Sequence, residues 1–204
     1  MARLIVLAAL LALAGCKDVV LKVPGTDIRI GGTKPEQANP DCKWSALYSK
    51  GIPECLDGFA SFSFGEPHYI TRPAPAGLKI GQTITIKFSI IGDGKLVPTQ
   101  GDGPAKLRLF IQQQGDTLTA AEEDKRWWSG PIDIAPGDHT LVVAIEPGLW
   151  TNVFGKSGTG REAAFMAAIQ GGSIGFTFGG MFAGHGVRVV EGSARFKITD
   201  WSVK

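Results

Sequence analysis

From Leu78 to Ile90 the residues Leu78, Ile80, Ile84, Ile86, Phe88 and Ile90 share one parity, while Lys79, Thr83, Thr85, Lys87 and Ser89 share the other. A strand turns successive side chains to opposite faces, so this segment reads as a half-buried strand with one solvated face. The same alternation returns in Leu107-Leu109-Ile111, Leu141-Val143-Ile145, Ile174-Phe176-Phe178 and Ala194-Phe196-Ile198. With residues 59–64, 68–71, 126–134 and 187–190 added, the chain is expected to form about nine strands. Gly and Pro turns separate them, among them Gly92-Asp93-Gly94, Pro136-Gly137-Asp138 and Pro147-Gly148. Without regular βα alternation, an antiparallel sandwich is favoured over a parallel sheet. One helix is expected over residues 160–170, built on Ala163, Ala164, Ala167 and Ala168 and stopped by Gly171-Gly172. Thr119-Ala-Ala-Glu122 fits a capping box and suggests a second helical turn.

The first residues follow another rule. Arg3 precedes an uninterrupted apolar run of eleven residues, Leu4 to Ala14. A helical bilayer span takes about 20, so a signal peptide is the better reading. The run ends Leu13-Ala14-Gly15-Cys16, which resembles the lipobox of bacterial lipoproteins. That resemblance implies cleavage before Cys16 and lipid on its sulfur, an anchor made durable by ~0.8 kcal/mol for each buried CH₂. Lys17 stands where an Asp tends to hold such proteins in the inner membrane. The implied location is therefore the outer membrane, facing the periplasm or the cell surface. Residues 16–41, rich in Pro, Gly, Thr and Asn, are expected to be a lipidated tether. Within it, Val19–Val23 or Ile28–Ile30 could instead pair with the domain as an edge strand.

Assigning Cys16 to lipid leaves Cys42 and Cys55, with twelve residues between them. An oxidising periplasm would join them as a disulfide worth about 3 kcal/mol. The alternative, a metal site, lacks a second Cys or His pair at ligand spacing. Residues 42–204 are thus read as a single β-sandwich domain, with 42–58 as its disulfide-closed lead-in. Loss of residues 1–15 removes Arg3 and leaves 20 basic against 19 acidic side chains. A nucleic-acid partner would need clustered cations, and none is expected. The 28 glycines, twice the usual share of about 7%, suit a turn-rich chain.

Several motifs imitate catalytic ones. Gly155-Lys156-Ser157 resembles the end of a phosphate-binding loop, but position 150, where that loop needs Gly, is Trp. Gly171-Gly-Ser173-Ile-Gly175 matches a nucleophile elbow, yet helix leads in and strand leads out, the reverse of that turn. His68, His139 and His185 are isolated from one another, although His185, between two glycines, could line a pocket. Glu122, Glu123 and Asp124, beside Lys125 and Arg126, read as a solvated face rather than glycosidase carboxylates. The chain is therefore expected not to be an enzyme. Trp127-Trp128 is the more informative pair. On a strand the two indoles must face opposite ways, so one should enter the core and the other lie outside or in a groove. Trp128 or Trp127, with Trp150 and His185, could thus form a ligand platform, with Phe154 and Trp201 as further aromatics. Alternatively, turns, the helix or a second sheet cover all of these rings.

Arg126-Trp-Trp-Ser129 before a turn and strand, Trp150 in the next loop, and the closing strand Ala194-Arg-Phe-Lys-Ile-Thr-Asp200 together resemble the jelly-roll carbohydrate-binding modules and their galactose-binding-like relatives. The likeness covers residues 59–204. It implies an all-β jelly-roll sandwich and a glycan ligand held by aromatic stacking. It further implies a structural calcium as the one possible cofactor, on Asp200 with Glu66 as the complementary acid. Two readings follow: a non-catalytic, membrane-anchored glycan-binding lipoprotein, or an accessory envelope lipoprotein that docks on a protein partner. The anchor can be tested directly. Cells fed labelled palmitate should label the chain and carry it into the detergent phase, whereas Cys16→Ser should lose the label and stay aqueous.

Overall fold

The computed structural model describes the backbone of residues 19–23, 26–30, 45–47, 53–55 and 59–61, and both backbone and side chains of residues 69–117, 119–180 and 186–204. Cys16, Cys42, Glu66, His68 and His185 lie outside the described residues, as does the side chain of Cys55. The expectations of lipidation, disulfide, pocket histidine and N-terminal calcium acid therefore fall outside them too.

In chain order the strands are β1 (Val19–Val23), β2 (Thr26–Ile30), β3 (Ser45–Leu47), β4 (Pro53–Cys55), β5 (Phe59–Ser61), β6 (Tyr69–Pro73), β7 (Thr83–Gly92) and β8 (Leu96–Pro98). They continue as β9 (Lys106–Gln113), β10 (Arg126–Ser129), β11 (Ile132–Asp133), β12 (Gly137–Ala144) and β13 (Trp150–Asn152). Helix α1 (Glu162–Gln170) follows, then β14 (Gly172–Gly179), β15 (Val187–Val189) and β16 (Ala194–Val203). β1 and β2 pair with each other, and among the described residues neither pairs with a strand of the domain.

The larger sheet runs β13-β10-β9-β14-β6-β3-β4, with β11 also on β9, and the smaller runs β12-β7-β16-β5. All the pairings are antiparallel. The interleaved orders β6-β14-β9-β10 and β5-β16-β7-β12 are those of a jelly roll: the chain passes back and forth between the sheets, except where β9 and β10 pair within one, and β16 closes beside β5. The fold is thus an all-β sandwich with one α-helix, as the alternation implied, and its jelly-roll order is the one the resemblance implied. β8 and β15 form a separate short ribbon.

The inner faces hold the parity sets read from the sequence. Ile84, Ile86, Phe88 and Ile90 of β7 meet Leu107, Leu109 and Ile111 of β9, with Ile174, Phe176 and Phe178 of β14, in one buried cluster. Phe176 joins the layers: its ring lies 6.3 Å from Phe88, 5.4 Å from Phe196 and 6.2 Å from Trp201. Helix α1 covers the core at the β10–β13 edge, where Phe165 packs 5.6 Å from Trp127 and 5.7 Å from Trp150.

Local chemistry shifts several expected boundaries. Leu78 and Ile80 do not extend β7, because the chain turns at Gly81, whose φ is +91°. The single strand expected over 126–134 is broken at Gly130-Pro131, since Pro131 has no N–H for the ladder. The register on β9 slips by one residue across that break, and the Ser129 hydroxyl takes over as acceptor for the Leu109 N–H at 2.9 Å. The helix starts at Glu162 and not at 160, because Gly160 is left-handed at φ +77°. The expected second helical turn forms at Ala120–Lys125, but without its capping box. Thr119 makes no side-chain cap bond, and the Glu122 carboxylate turns instead to Lys125 and to the amide and hydroxyl of Thr117. Those bonds, the one from Lys125 foremost, hold its pKa down to about 2.

Two glycines are required by close approach. A Cβ on Gly172 would lie 1.9 Å from the Gln112 carbonyl oxygen, and one on Gly175 would lie 1.9 Å from that of Ile70. Gly171 opens on empty space with extended backbone at φ −168°. Gly175→Ala should therefore lose about 3 kcal/mol of stability and Gly171→Ala almost none, measured by urea unfolding.

Candidate functional site

The two outer faces differ in kind. On the smaller sheet, Thr85, Lys87 and Ser89 alternate with the core residues of β7, and Val142 of β12 is openly exposed. That is an ordinary solvated surface. On the larger sheet the outer face is buried as well, and it is built from aromatic and polar side chains.

Pairing fixes three rows across that face. Arg126, Gln112, Ser173 and Pro73 are successive cross-strand partners in the first row. Trp128, Phe110, Gly175 and Thr71 form the second, with Thr151 on the far side of Trp128. Arg108, Thr177 and Tyr69 form the third. Gly175 adds no side chain to the middle row. Beside it run three rings in a second buried cluster, separate from the sandwich core: Tyr69, Phe110 and Trp128. Tyr69 meets Phe110 edge-on at 5.2 Å, and Phe110 meets Trp128 at 5.1 Å and 44°. From β6 to β10 is three strand spacings, about 14 Å.

The polar groups around the rings divide in two. Some are satisfied. Asp116, buried in the loop after β9, accepts from Gln112 Nε2 at 2.9 Å and sits 3.4 Å from Arg126 Nε. Arg126 also donates to the Thr119 carbonyl at 3.0 Å. Others are buried with no hydrogen-bond partner: Thr71 Oγ1, Gln112 Oε1, Trp128 Nε1 and Thr177 Oγ1. Each such atom costs about 1–3 kcal/mol relative to a paired one. With Arg126 Nε, ion-paired with Asp116 but without a hydrogen bond, five such atoms share this one face. Burial pushes the Tyr69 phenol up to about 12, with Arg126 pulling weakly the other way, so the hydroxyl stays protonated.

The sequence-derived site residues are distributed differently from expectation. Trp127 and Trp128 do face opposite ways, but neither lies outside, at 0% and 8% exposure. Trp127 is core and donates from its indole to the Asp124 carbonyl at 2.7 Å. Trp150, 1% exposed, is core too and donates to the Ala144 carbonyl at 2.9 Å. As ligand platforms these two are corrected: α1 and the smaller sheet occupy the inner face on which they sit. Trp128 alone belongs to the outer face. Trp201 packs half-buried against the core, and Phe154 is exposed under the Lys156 ammonium.

Asp200 stands on the exposed edge of a bulge in β16, opposite Lys87. Among the described residues no three His, Cys, Asp or Glu side chains gather to hold a metal. The calcium expectation therefore gains no support from Asp200. Lys156 of the phosphate-loop imitation is paired with Glu123 at 2.7 Å, and Asn152 Oδ1 closes that turn on the Phe154 and Lys156 amides. Ser173 of the elbow imitation is buried in the sheet. His139 stacks on Phe88 at 4.9 Å and contacts the Ala135 carbonyl. Glu122, Glu123 and Asp124 are pinned to Lys125, Lys156 and Arg161, so they staple the loop to its surroundings and are more than a solvated face.

Tyr69, Phe110, Gln112 and Thr177 escaped the sequence reading. Their signal was there as a break in parity: Leu109-Phe110-Ile111 and Tyr69-Ile70 are unbroken apolar runs, the mark of strands covered on both faces.

No protein-family model matches the chain, and no curated protein matches it. A solved structure described as the xylan-binding module CBM15 overlaps 79% of this chain and 94% of its own length. The two share 12% identity at a TM-score of 0.41, too loose an overlap to bear on what this chain binds.

The unpartnered hydroxyls make an unusual stability forecast. Thr71→Val and Thr177→Val should each stabilise the protein by about 1 kcal/mol, seen as a higher melting temperature. Ser129→Ala, which removes the acceptor for the Leu109 amide, should cost about as much.

Proposed function

We propose that this chain is a non-catalytic glycan-binding module, held at the bacterial outer membrane by lipid on Cys16. The observation that carries the reading is the β10 margin of the larger sheet's outer face, where Arg108 and Thr151 are part-exposed beside the edge of Trp128, with the Tyr69 and Phe110 rings buried behind them. Sugars present apolar C–H faces to rings and hydroxyls to polar groups. At this margin the Arg108 guanidinium offers donors and the Thr151 hydroxyl a donor or an acceptor.

Catalysis would ask for a nucleophile beside a base, or two carboxylates across a cleft. The buried acid described on this face, Asp116, is committed to Arg126 and Gln112. The face is therefore suited to holding a ligand rather than transforming one. Trp127 and Trp150 support the binding residues from behind and do not touch the glycan.

The test is a glycan and cell-wall polysaccharide array with the full chain in detergent, each hit followed by titration on tryptophan fluorescence. Thr151→Val keeps the side-chain shape and removes the hydroxyl at the margin. It should weaken every hit about tenfold or more while leaving the melting temperature within a few degrees. A blank across the array would overturn the reading and favour docking on an envelope protein.

A further inference from the structure

Arg108 lies in the third row of the outer face, two residues along β9 from Phe110 and opposite Thr177. Its guanidinium donates from Nε to the Ser129 carbonyl and from Nη2 to the Thr151 hydroxyl at 3.1 Å. Thr151 is the direct cross-strand partner of Trp128, so the cation sits beside the aromatic strip at its β10 end. Both acceptors are neutral. The other described cations on this face have acids: Arg126 has Asp116, and Lys106 has Asp133. Arg108 is half-buried and, among the described residues, has no carboxylate within ion-pair distance.

A guanidinium taken partly out of water without a counter-charge is costly, and it attracts any anion brought into the same space. Burial accordingly draws its pKa downward. Two of its nitrogens are fixed by Ser129 and Thr151, so its plane is held and the remaining N–H groups are set in advance. That is the fork geometry that matches a carboxylate.

We infer that the glycan is acidic, with Arg108 taking a uronic acid carboxylate at the part-exposed β10 margin of the outer face. This inference rests on the glycan-binding reading of that margin and names its ligand class. Arg108 sets preference and not binding as such, since Thr151 and the edge of Trp128 beside it are neutral.

The experiment titrates the full chain in detergent with polygalacturonate, alginate and hyaluronan, each beside its carboxyl-reduced counterpart. At least one polyuronate should bind, and its reduced form should bind about 10- to 100-fold more weakly. Arg108→Gln should abolish that ratio while keeping the affinity for the reduced polymer. Arg108→Lys, with charge but no fork, should recover only part of it. Raising the salt concentration should erode the ratio in the wild type, which serves as a readout independent of any variant's folding. If the native and reduced polymers bind equally, or if Arg108→Gln lowers both affinities in step, the acidic-ligand inference falls and the glycan reading stands. If no polymer of either kind binds, the acidic-ligand inference falls, and the array alone decides the glycan reading.

Discussion

The pairing of β9 with β14 governs this molecule. Eight consecutive residues of each strand are in register, and both faces of both strands are filled. Inward, Leu107, Leu109 and Ile111 with Ile174, Phe176 and Phe178 carry the sandwich core. Outward, Phe110 and Gln112 with Ser173 and Thr177 carry the second layer. The approach is so close that Gly172 and Gly175 leave no room for a Cβ against the neighbouring backbone. A slip of one residue would exchange the two layers, setting Gln112 and Thr177 among the phenylalanines, so the register is strongly held.

The layers also divide the labour of the aromatic residues. Trp127 and Trp150 face inward, have their indole N–H groups satisfied by carbonyls and lean on Phe165. Trp128, one residue from Trp127, faces outward and keeps an N–H without a partner. Position along the strand thus assigns one indole to the sandwich core and its neighbour to the outer layer. The Gly130-Pro131 break ends the strand just beyond them, and Ser129 repairs the ladder there while lending its carbonyl to Arg108.

The inner core was legible because period two is a direct image of a one-sided strand. The parity sets of β7, β9, β14 and β16 therefore transfer to the structure intact, and strand order then follows jelly-roll closure. The outer layer was obscured for the same reason. Arg108, Gln112, Ser173 and Thr177 occupy the parity that usually meets water, and alternation says which residues share a face without saying whether that face is covered. Phe110 was the clue, an apolar residue on the wrong parity. Boundaries failed where one residue's chemistry overrode a pattern: Gly81 turning β7 short, Pro131 splitting the strand after the tryptophans, and left-handed Gly160 delaying the helix. The capping box failed because Glu122 found better partners in Thr117 and Lys125 than in the helix it was expected to cap.

The edge strand β13 has one further consequence. It is three residues long, and the chain doubles back at once so that Thr151 bridges Ser157 and the Asn152 amide bonds to Lys156. A sheet that ends in a long bare strand invites another chain to add itself. Here the free side of the last strand is occupied by its own return, and the exposed Phe154 is carried on that turn instead of on a flat rim. The margin beside the outer layer is sealed against strand addition, so copies of this protein can crowd together there without zipping into fibres.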